Sequence, residues 1–496
     1  MTLKSVLKKA YRLSHSYGVE KFVLPFVFSR KKLETLRMEA AKSSQSAAKR
    51  SALVSAKTKS NALTLNSAAT EGAPQVARIW FHAASAGELE SLWPLIVLAG
   101  GDKSGIVVTI LSESGWSGLE RLRQKLQEIG AFVLFMGYSP WEGGWGSRLE
   151  EFKPDFFVTV KYEAWPDLWM SLQEHKIPLV IIGARVRRSL RLAKKMTEFL
   201  TGELPRLFLF PCDPQDAEDL SVLFPQATLR VVDEPRWERV FDRAKSGNLR
   251  AVELTRACRL LPRPWGVIGN AWLEDLRFLF GTGSSKLFQG TLWIVPHQLK
   301  AGNIAKIEAF LTRQGMSYVA TQGLSVEALA LRLRSPCNPG GTAGSSCVSP
   351  SVSPSVSPCV SPRVSPWGTS ALPAVLVNEM GFLSELYSSA DWAYVGGGFG
   401  AGIHSTIEPA IHGIPIAIGP EGAQKFSEVG QLQRTGQLSL LRDSTDLSAW
   451  MDQWEVGQLG TRTHKFQENK SRWKKEAESR CGGASQILCS LFEGNK

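Results

Sequence analysis

Short apolar runs alternate with amphipathic stretches from residue 77 onwards. The first strands and helices are predicted from ARIWFHAA, SAGELESLWPLIVLA, IVVTILS and WSGLERLRQKLQEIG, in that order. Three more strands are predicted from AFVLFM, DFFVTV and PLVIIGARV, and a second series from GVIGNA, LWIVPHQL, MSYVAT, AVLVN, WAYVGGG and PIAIGP. Such alternation is typical of parallel sheets covered on both faces by helices. We therefore predict an α/β protein with two doubly wound domains facing a cleft, in which ligands bind at the carboxyl ends of the strands.

Composition divides the chain further. A repeat of Val-Ser-Pro interrupts the second series and cannot build a core, so we expect a disordered surface insertion there. The expected organisation is a basic and apolar segment over 1–40, a flexible linker over 41–76, a first domain over 77–240, a second over 241–461 with the insertion at 337–368, and a helical closing segment over 462–496.

The positive charge is concentrated near the start of the chain. The net charge is +12, and residues 1–60 alone hold fourteen Lys and Arg against three acidic residues. A segment of this kind meets nucleic acid or an anionic membrane surface. Because aromatic residues are interleaved with the cations in 1–40, we expect an interfacial membrane anchor and no nucleic-acid partner; the alternative is a solvated helix packed on its own domain.

The sequence shows no clear membrane span, signal peptide or cysteine motif. The longest early apolar run, FVLPFVF at 22–28, is far shorter than the ~20 residues of a membrane span, and no signal peptide is evident. The seven cysteines form no CxxC pair and no zinc spacing, which fits a reducing cytosol.

The stretch Tyr394–Pro420 reads YVGGGFGAGIHSTIEPAIHGIPIAIGP, a strand end, a glycine-rich loop, a helix start and a second strand. Glycines let a backbone approach a phosphate closely, and a helix start attracts anions. We expect Ser405 to be the N-cap. Glu408 one turn later either completes a capping box or accepts hydrogen bonds from a ribose. The loop lacks the Gly-Lys-Ser/Thr of a Walker motif and the acidic partner of a dinucleotide fingerprint.

Charged residues follow other predicted strands. Glu88 in Ser-Ala-Gly-Glu is either a capping-box residue or a general base, and Glu163 is either a substrate contact or an ion-pair partner of Lys161 or Arg185. Arginines after the fifth strand form either a solvated helix face or an anion-binding rim: Arg185, Arg187, Arg188 and Arg191.

In the second domain, His297 and the Asn378–Gly381 turn follow strands, and His297 is expected near the glycine loop. No Asp-x-Asp or HExxH motif is present, so we expect metal-independent chemistry without a cofactor.

Six segments in order resemble the 3-deoxy-D-manno-octulosonic acid (Kdo) transferases of lipopolysaccharide synthesis. The similarity spans about residues 5–40 and 77–435, and is carried by WFHAASAGELE, VKYEAWPDLW, GARVRRS, VPHQLK, the stretch from NEMGFLSEL to IAIGP, and QKFSE. The resemblance implies a GT-B fold with two Rossmann-like domains, peripheral to the cytoplasmic face of the inner membrane. It also implies CMP-Kdo as donor and a lipid A precursor as acceptor.

The resemblance also implies roles for individual residues. Glu88 matches the general base of an inverting transfer, and Glu163 and Arg185 match residues on the acceptor side. The positions that match the CMP-binding residues of the family are Pro296, His297, Met380, Gly381, Gly402, Ser405 and Glu408.

Three positions depart from the family pattern. The usual Pro-Arg-His reads Pro296-His297, so Lys300 or His404 would have to replace the arginine; Ser405 and Gly183 stand where asparagines are usual. Two alternatives stay open: a GT-B transferase that uses a UDP-sugar, and a membrane-surface binding protein that kept the fold without turnover.

Overall fold

The computed structural model describes residues 76–140, 144–161, 163–259, 261–281, 288, 290–316, 318–323, 325, 327–328, 374–454 and 464–493. The predicted membrane segment 1–40, the linker up to residue 75 and the insertion 337–368 lie outside these residues. The described residues form two compact units. The first comprises residues up to Arg239 together with those from Arg480 onwards, and the second comprises Val240–Ser479.

The sheet of the first unit has seven parallel strands among the described residues, in the order β3-β2-β1-β4-β5-β6-β7. The strands are β1 (Arg78–Ala83), β2 (Gly105–Ile110), β3 (Val133–Tyr138), β4 (Phe156–Val160), β5 (Leu179–Ile182), β6 (Leu207–Phe210) and β7 (Thr228–Leu229). Five of them match the predicted runs; β6 and β7 were not predicted.

Helices connect these strands on both faces of the sheet. They are α1 (Ala86–Gly101), α2 (Trp116–Glu128, after a 3-10 turn at Glu113–Gly115), α3 (Trp145–Phe152), α4 (Pro166–Glu174), α5 (Arg188–Thr201), α6 (Pro214–Leu223) and α7 (Arg236–Ser246). Because side chains alternate along a strand, Ile79 and Phe81 pack against α1, whereas Trp80 and Phe157 pack in the core on the opposite face.

The second unit repeats the architecture. Its seven described strands are parallel in the order β10-β11-β9-β8-β12-β13-β14. They are β8 (Trp265–Ala271), β9 (Thr291–Pro296), β10 (Tyr318–Ala320), β11 (Ala374–Leu376), β12 (Trp392–Val395), β13 (Ile416–Ile418) and β14 (Leu438–Leu440). The last strand, β14, was not predicted.

The remaining helices are α8 (Leu249–Ala257), α9 (Leu273–Phe280), α10 (Ala301–Arg313), α11 (Leu383–Ser389), α12 (Ile407–Ala410), α13 (Ser427–Arg434), α14 (Ser444–Gln453), α15 (His464–Ser479) and α16 (Gly483–Glu493), with a 3-10 turn at Ala423–Lys425.

The closing segment expected over 462–496 is helical but is divided between the units. The helix α15 belongs to the second unit, and α16 belongs to the first. Ile487 and Leu491 of α16 are buried in the same core as α1. The backbone N–H groups of Gly482 and Ala484 donate to Glu238 Oε1 at 3.0 and 2.9 Å, which ties the start of α16 to α7.

Candidate active site

In the first unit, the direction of the sheet order reverses between β1 and β4. These two strands are neighbours, whereas β2 follows β1 on one side and β5 follows β4 on the other. Loops that leave such a pair diverge at the carboxyl ends of the strands and open a crevice there, which is where open α/β sheets bind ligands. Glu88 follows β1 and Glu163 follows β4, so both predicted carboxylates belong to this position.

Glu88 caps its own helix. Ser85 is the N-cap of α1 in an extended conformation, and Glu88 Oε2 accepts hydrogen bonds from the backbone N–H groups of Ala84 (2.7 Å) and Ser85 (3.2 Å). The capping-box interpretation is therefore confirmed. The capping interaction does not exclude a role for Glu88 as a general base, because a carboxylate that accepts two backbone N–H hydrogen bonds still has lone pairs for another partner.

The pKa of Glu88 is raised from 4.5 to about 7, first by burial and then by the negative charge of Glu163. The two backbone donors and the charge of Lys161 act in the opposite direction. A carboxyl group with a pKa near neutrality is present in both protonation states at physiological pH, which is the condition for an efficient general base.

Glu163 is buried, with 6% of its surface exposed. The indole N–H of Trp165 donates a hydrogen bond to Glu163 Oε2, and His82 Nε2 lies 3.7 Å from the same oxygen. The two cations considered as its ion-pair partners are bound to other carboxylates. Lys161 Nζ lies 2.9 Å from Glu234 Oε1.

Arg185 follows β5 and is paired with a carboxylate. Its Nε lies 3.0 Å from Asp216 Oδ1 and 2.9 Å from Oδ2. Burial raises the pKa of Asp216, and Arg185 counteracts that shift. Of the remaining arginines, Arg188 and Arg191 are exposed on the first turn of α5. The guanidinium of Arg185 is thus held in a defined position rather than left on a solvated helix face.

Sequence reasoning did not single out His82. This residue is 1% exposed, and its Nδ1 lies 3.0 Å from Thr109 Oγ1. Its ring packs edge-on against Trp145, with centroids 5.4 Å apart. The sequence does contain a feature that marks His82. It is the only ionisable residue that follows Arg78 in the apolar run of β1.

In the second unit, the order of the strands reverses between β8 and β12. The glycine loop, residues Gly396–Gly402, leaves β12 at this point. Asp275 holds it in place: Oδ2 accepts from the backbone N–H groups of Gly397 (2.7 Å) and Trp272 (3.0 Å), and Oδ1 accepts from the Tyr394 hydroxyl (3.0 Å). A single buried carboxylate therefore joins the loops that follow β8 and β12.

Two glycines of the loop are required by its geometry. Gly397 has φ +96°, a conformation that L side chains rarely adopt. A Cβ atom on Gly398 would lie 2.4 Å from the Cα atom of Gly419, so the loop and the end of β13 pack backbone against backbone. This close approach is between two segments of the protein, and the predicted approach of the loop to a phosphate stays a prediction.

The predicted helix start at Ser405 is wrong. The helix α12 covers only Ile407–Ala410, and its N-cap is Thr406, which makes no side-chain capping bond. The turn that ends this helix is followed by Gly413, which has φ +65°. Because the helix has only four residues, its dipole is small. The anion site expected at the helix start therefore loses that support.

Ser405 and Glu408 do not form a capping box, which was one of the two alternatives for Glu408. Ser405 Oγ lies 3.4 Å from both the Ile407 N–H and Glu428 Oε1. Glu408 lies 3.5 Å from Arg243 Nη1, and its side chain is partly exposed. The carboxylate of Glu408 thus pairs with a residue outside its own helix, and 22% of its side-chain surface is exposed.

His297 follows Pro296, the last residue of β9, and lies in a stack of rings. The ring centroids of His297 and Trp272 are 5.0 Å apart, and those of His297 and His404 are 4.3 Å apart. Burial lowers the pKa of His297. Since His404 follows Gly402 by two residues, this stack places His297 beside the end of the glycine loop, as the sequence predicts.

Met380 and Gly381 lie in a turn fastened to the start of α8. Arg250 donates to both Glu379 oxygens, at 3.0 and 3.1 Å, and Asn248 Nδ2 donates to Gly381 O at 3.1 Å. The Met380 side chain is 81% exposed. A large apolar side chain held in solvent by a fixed turn is a suitable contact for a planar ring.

No helix of the described part of the chain is both long enough and apolar enough to cross a bilayer. Within the same residues, no group of three or more His, Cys, Asp and Glu side chains has the geometry of a metal site.

Comparison with known proteins agrees with the sequence resemblance. The family model of 3-deoxy-D-manno-octulosonic-acid transferase (kdotransferase) matches residues 28–239. A 3-deoxy-D-manno-octulosonic acid transferase of Chlamydia muridarum is 36% identical over 76 residues. That alignment covers 15% of this chain and 17% of the relative, so the matched segment spans about one sixth of the relative's length.

Solved structures agree with the fold. A glycosyltransferase of Rickettsia africae aligns with 85% of this chain and 99% of its own, with a TM-score of 0.51 and 9% identity. A UDP-GlcNAc 2-epimerase of Neisseria meningitidis aligns with 84% of this chain and 100% of its own, with a TM-score of 0.48 and 13% identity. At 9% identity the glycosyltransferase structure shows the fold alone, and together with the order of the strands it confirms the predicted α/β fold of GT-B type with two Rossmann-like units. The predicted resemblance to the 3-deoxy-D-manno-octulosonic-acid transferases is thus confirmed over residues 28–239.

Proposed function

We propose that the protein is an inverting glycosyltransferase that transfers Kdo from CMP-Kdo to a lipid A precursor. The observation that carries the proposal is the state of Glu88. A half-buried carboxyl group with a pKa of about 7 stands at the sheet position where α/β folds bind ligands, within the region that matches the family.

In the proposed reaction, Glu88 removes the proton from an acceptor hydroxyl. The hydroxyl oxygen forms a bond to the anomeric carbon of Kdo, and the bond from that carbon to the phosphate oxygen of CMP breaks. CMP leaves with the bonding electron pair, and the configuration at the anomeric carbon is inverted. Because the base must be ionised, the reaction proceeds faster once the pH exceeds the pKa of Glu88.

Glu163 and Arg185 serve the acceptor in this proposal. Glu163 is buried beside His82 and Trp165, so its carboxylate is oriented before any ligand binds. Arg185 presents a guanidinium fixed by Asp216, and guanidinium groups suit phosphorylated acceptors because they bind phosphate through two parallel hydrogen bonds.

The donor binds to the second unit in this proposal. Glu408 accepts hydrogen bonds from the ribose, and Met380 and Gly381 contact the base. The positions proposed to bind the remaining parts of CMP are Pro296, His297, Gly402 and Ser405. The family's missing arginine is best replaced by His404, because its ring stacks on His297, whereas Lys300 is the N-cap residue of α10.

Metal and cofactor independence is part of the proposal. It rests on the sequence, which contains no Asp-x-Asp motif to hold a metal against a sugar nucleotide. The cation needed to neutralise the departing CMP would then be supplied by protein side chains.

The proposed place of action is the cytoplasmic face of the inner membrane, with the protein bound peripherally. Support comes from residues 1–40, in which aromatic and basic residues alternate. Flotation distinguishes the partners: the full chain should float with anionic vesicles, and a chain lacking residues 1–40 should not. If the full chain bound duplex DNA and did not float with the vesicles, the assignment of residues 1–40 as a membrane-binding segment would be contradicted.

Thermal-shift titration with CMP and UDP tests the donor assignment. A ligand that binds the folded state alone raises the melting temperature in proportion to its occupancy. We expect stabilisation by CMP and a smaller effect of UDP at equal concentration. Stabilisation by UDP alone would favour a UDP-sugar transferase, and CMP binding without any transfer would favour the binding protein.

A further inference from the structure

Lys161 occupies a constrained position at the end of β4. Its φ is +52°, in the left-handed region that a residue with a side chain adopts at a cost. Its backbone N–H donates to Ile182 O at 2.8 Å, and its side-chain stem covers Gly183, where an added Cβ would lie 3.2 Å from Lys161 Cγ. The backbone and the stem thus both fix where the ammonium group lies.

The ammonium group is bound by Glu234, which is 3% exposed. Glu234 Oε1 lies 2.9 Å from Lys161 Nζ and accepts a 2.7 Å hydrogen bond from Ser91 Oγ. Burial acts to raise the pKa of Glu234, but the charges of Lys161 and Arg236 and the hydrogen bonds outweigh it, and the pKa is lowered. Glu234 is therefore ionised beside Lys161.

A buried ion pair of this kind is a weak source of stability, because the loss of hydration offsets the attraction between the charges. Its location suggests another use. Ser91 lies one turn after Glu88 on α1, and Lys161 lies two residues before Glu163. The pair thus joins the two elements that carry the predicted carboxylates.

The charged groups around Glu88 are few among the described residues. Glu163 raises its pKa and Lys161 lowers it. Behind them lie His82, next to Glu163, and Glu234, which carries Lys161. Lys161 is thus the cation that opposes the repulsion between Glu88 and Glu163, and Glu234 partly neutralises it.

We propose that Lys161, held by Glu234 and Ser91, is a positioning residue that maintains a fixed positive charge beside Glu88 and Glu163. The inference rests on the proposed function, in which Glu88 must be ionised to accept a proton. With the ammonium group fixed, Glu88 can lose its proton near neutral pH despite the charge of Glu163. Without it, Glu88 retains its proton to higher pH.

Two variants move the titration of Glu88 in opposite directions. The double variant Lys161→Met/Glu234→Gln removes both charges of the pair and keeps Arg236, whose charge also acts on Glu234; the midpoint of Glu88 should rise by roughly one pH unit. Glu234→Gln alone leaves Lys161 without its neutralising partner; the midpoint should fall by a similar amount. Lys194→Met is the matched control, because it breaks a Lys–Glu pair of the same unit (2.6 Å) on α5.

The titration is read directly, from the carboxyl ¹³C resonance that disappears in Glu88→Gln, and in parallel from the pH dependence of kcat/KM. Opposite shifts in the two variants with none in the control support the inference. An unchanged midpoint in the folded double variant overturns it. If the midpoints shift but Glu88→Gln retains full transfer activity, the proposed function fails while the role of Lys161 stands.

Discussion

The carboxyl group of Glu88 lies within the electrostatic field of Glu163, and the repulsion adds to burial in raising the pKa of Glu88 to about 7. The two residues follow neighbouring strands of the sheet, β1 and β4, which pair in parallel from Ile79 and Phe156 onwards. A carboxyl group whose pKa is raised by burial and by a like charge is typical of sites that move protons.

The pH dependence of transfer should follow Glu88. Since a base acts only when ionised, kcat/KM should rise about tenfold per pH unit below pH 7 and level off above it. Steady-state rates between pH 5 and 9 measure this profile. A level profile from pH 5 to 7 would show that the ionisation of Glu88 does not control the reaction.

Glu88→Gln should stabilise the protein at high pH. The folded-state pKa of Glu88 is raised from 4.5 to about 7, so folding favours the protonated form, and wild-type stability falls as the pH rises through that interval. The amide retains acceptors for the Ala84 and Ser85 N–H groups and cannot ionise. We expect equal melting temperatures at pH 4 and a gain on the order of 2 kcal/mol at pH 8.

Glu90→Gln is the contrasting variant. Glu90 Oε2 lies 2.7 Å from Arg239 Nε, so loss of its charge removes an ion pair, and the variant should be no more stable than wild type at pH 8. If Glu88→Gln were destabilised at pH 8 as well, folding would not raise the pKa of Glu88.

Gly398→Ala should disrupt the glycine loop, and Gly400→Ala should not. An added Cβ on Gly398 meets the backbone of Gly419, which has no side-chain freedom to move away, whereas Gly400 has only Glu274 Cγ nearby, at 3.9 Å. We expect Gly398→Ala to cost about 3 kcal/mol and to abolish CMP binding. Chemical denaturation and calorimetric titration measure both effects, and equal behaviour of the two variants would refute the assignment of the loop.

Glu408→Gln should remove the preference for a ribonucleotide. If Glu408 accepts hydrogen bonds from the ribose, wild type binds CMP about tenfold more tightly than 2′-deoxy-CMP, and the variant binds both alike. Glu421→Gln, an exposed residue beyond β13, is the control. If Glu408→Gln still bound CMP more tightly than 2′-deoxy-CMP, Glu408 would not contact the ribose, and its role would be the ion pair with Arg243, 3.5 Å away.

Most of the fold could be predicted from apolar runs. The strands β6, β7 and β14 were not predicted. Length is not the reason, because β10, β11 and β13 have three residues each. The sequences of β7 and β14, Thr-Leu and Leu-Ser-Leu, lack a run of consecutive apolar residues, whereas β6 has such a run in Leu-Phe-Leu-Phe. The helix start at Ser405 was wrong because a Ser-x-x-Glu pattern was taken as a cap, whereas the chain begins its helix two residues later.

The sequence also placed the candidate site residues at strand ends, which parallel topology brings together. It could not reveal which charges meet. The partner of Lys161 is Glu234, and the neighbour of Glu163 is His82, and both contacts join distant parts of the chain through the order of the strands. Long-range pairing of this kind depends on side-chain packing that local pattern does not encode.

Mass spectrometry of the lipid formed from CMP-Kdo and a lipid A precursor tests the central claim most directly. Wild type should yield a product heavier by one or more Kdo residues and release an equal number of CMP molecules. Glu88→Gln should lose at least about 10³-fold in rate while it still folds and binds CMP. Full transfer by Glu88→Gln, or an unmodified lipid with the wild-type protein, would contradict the account.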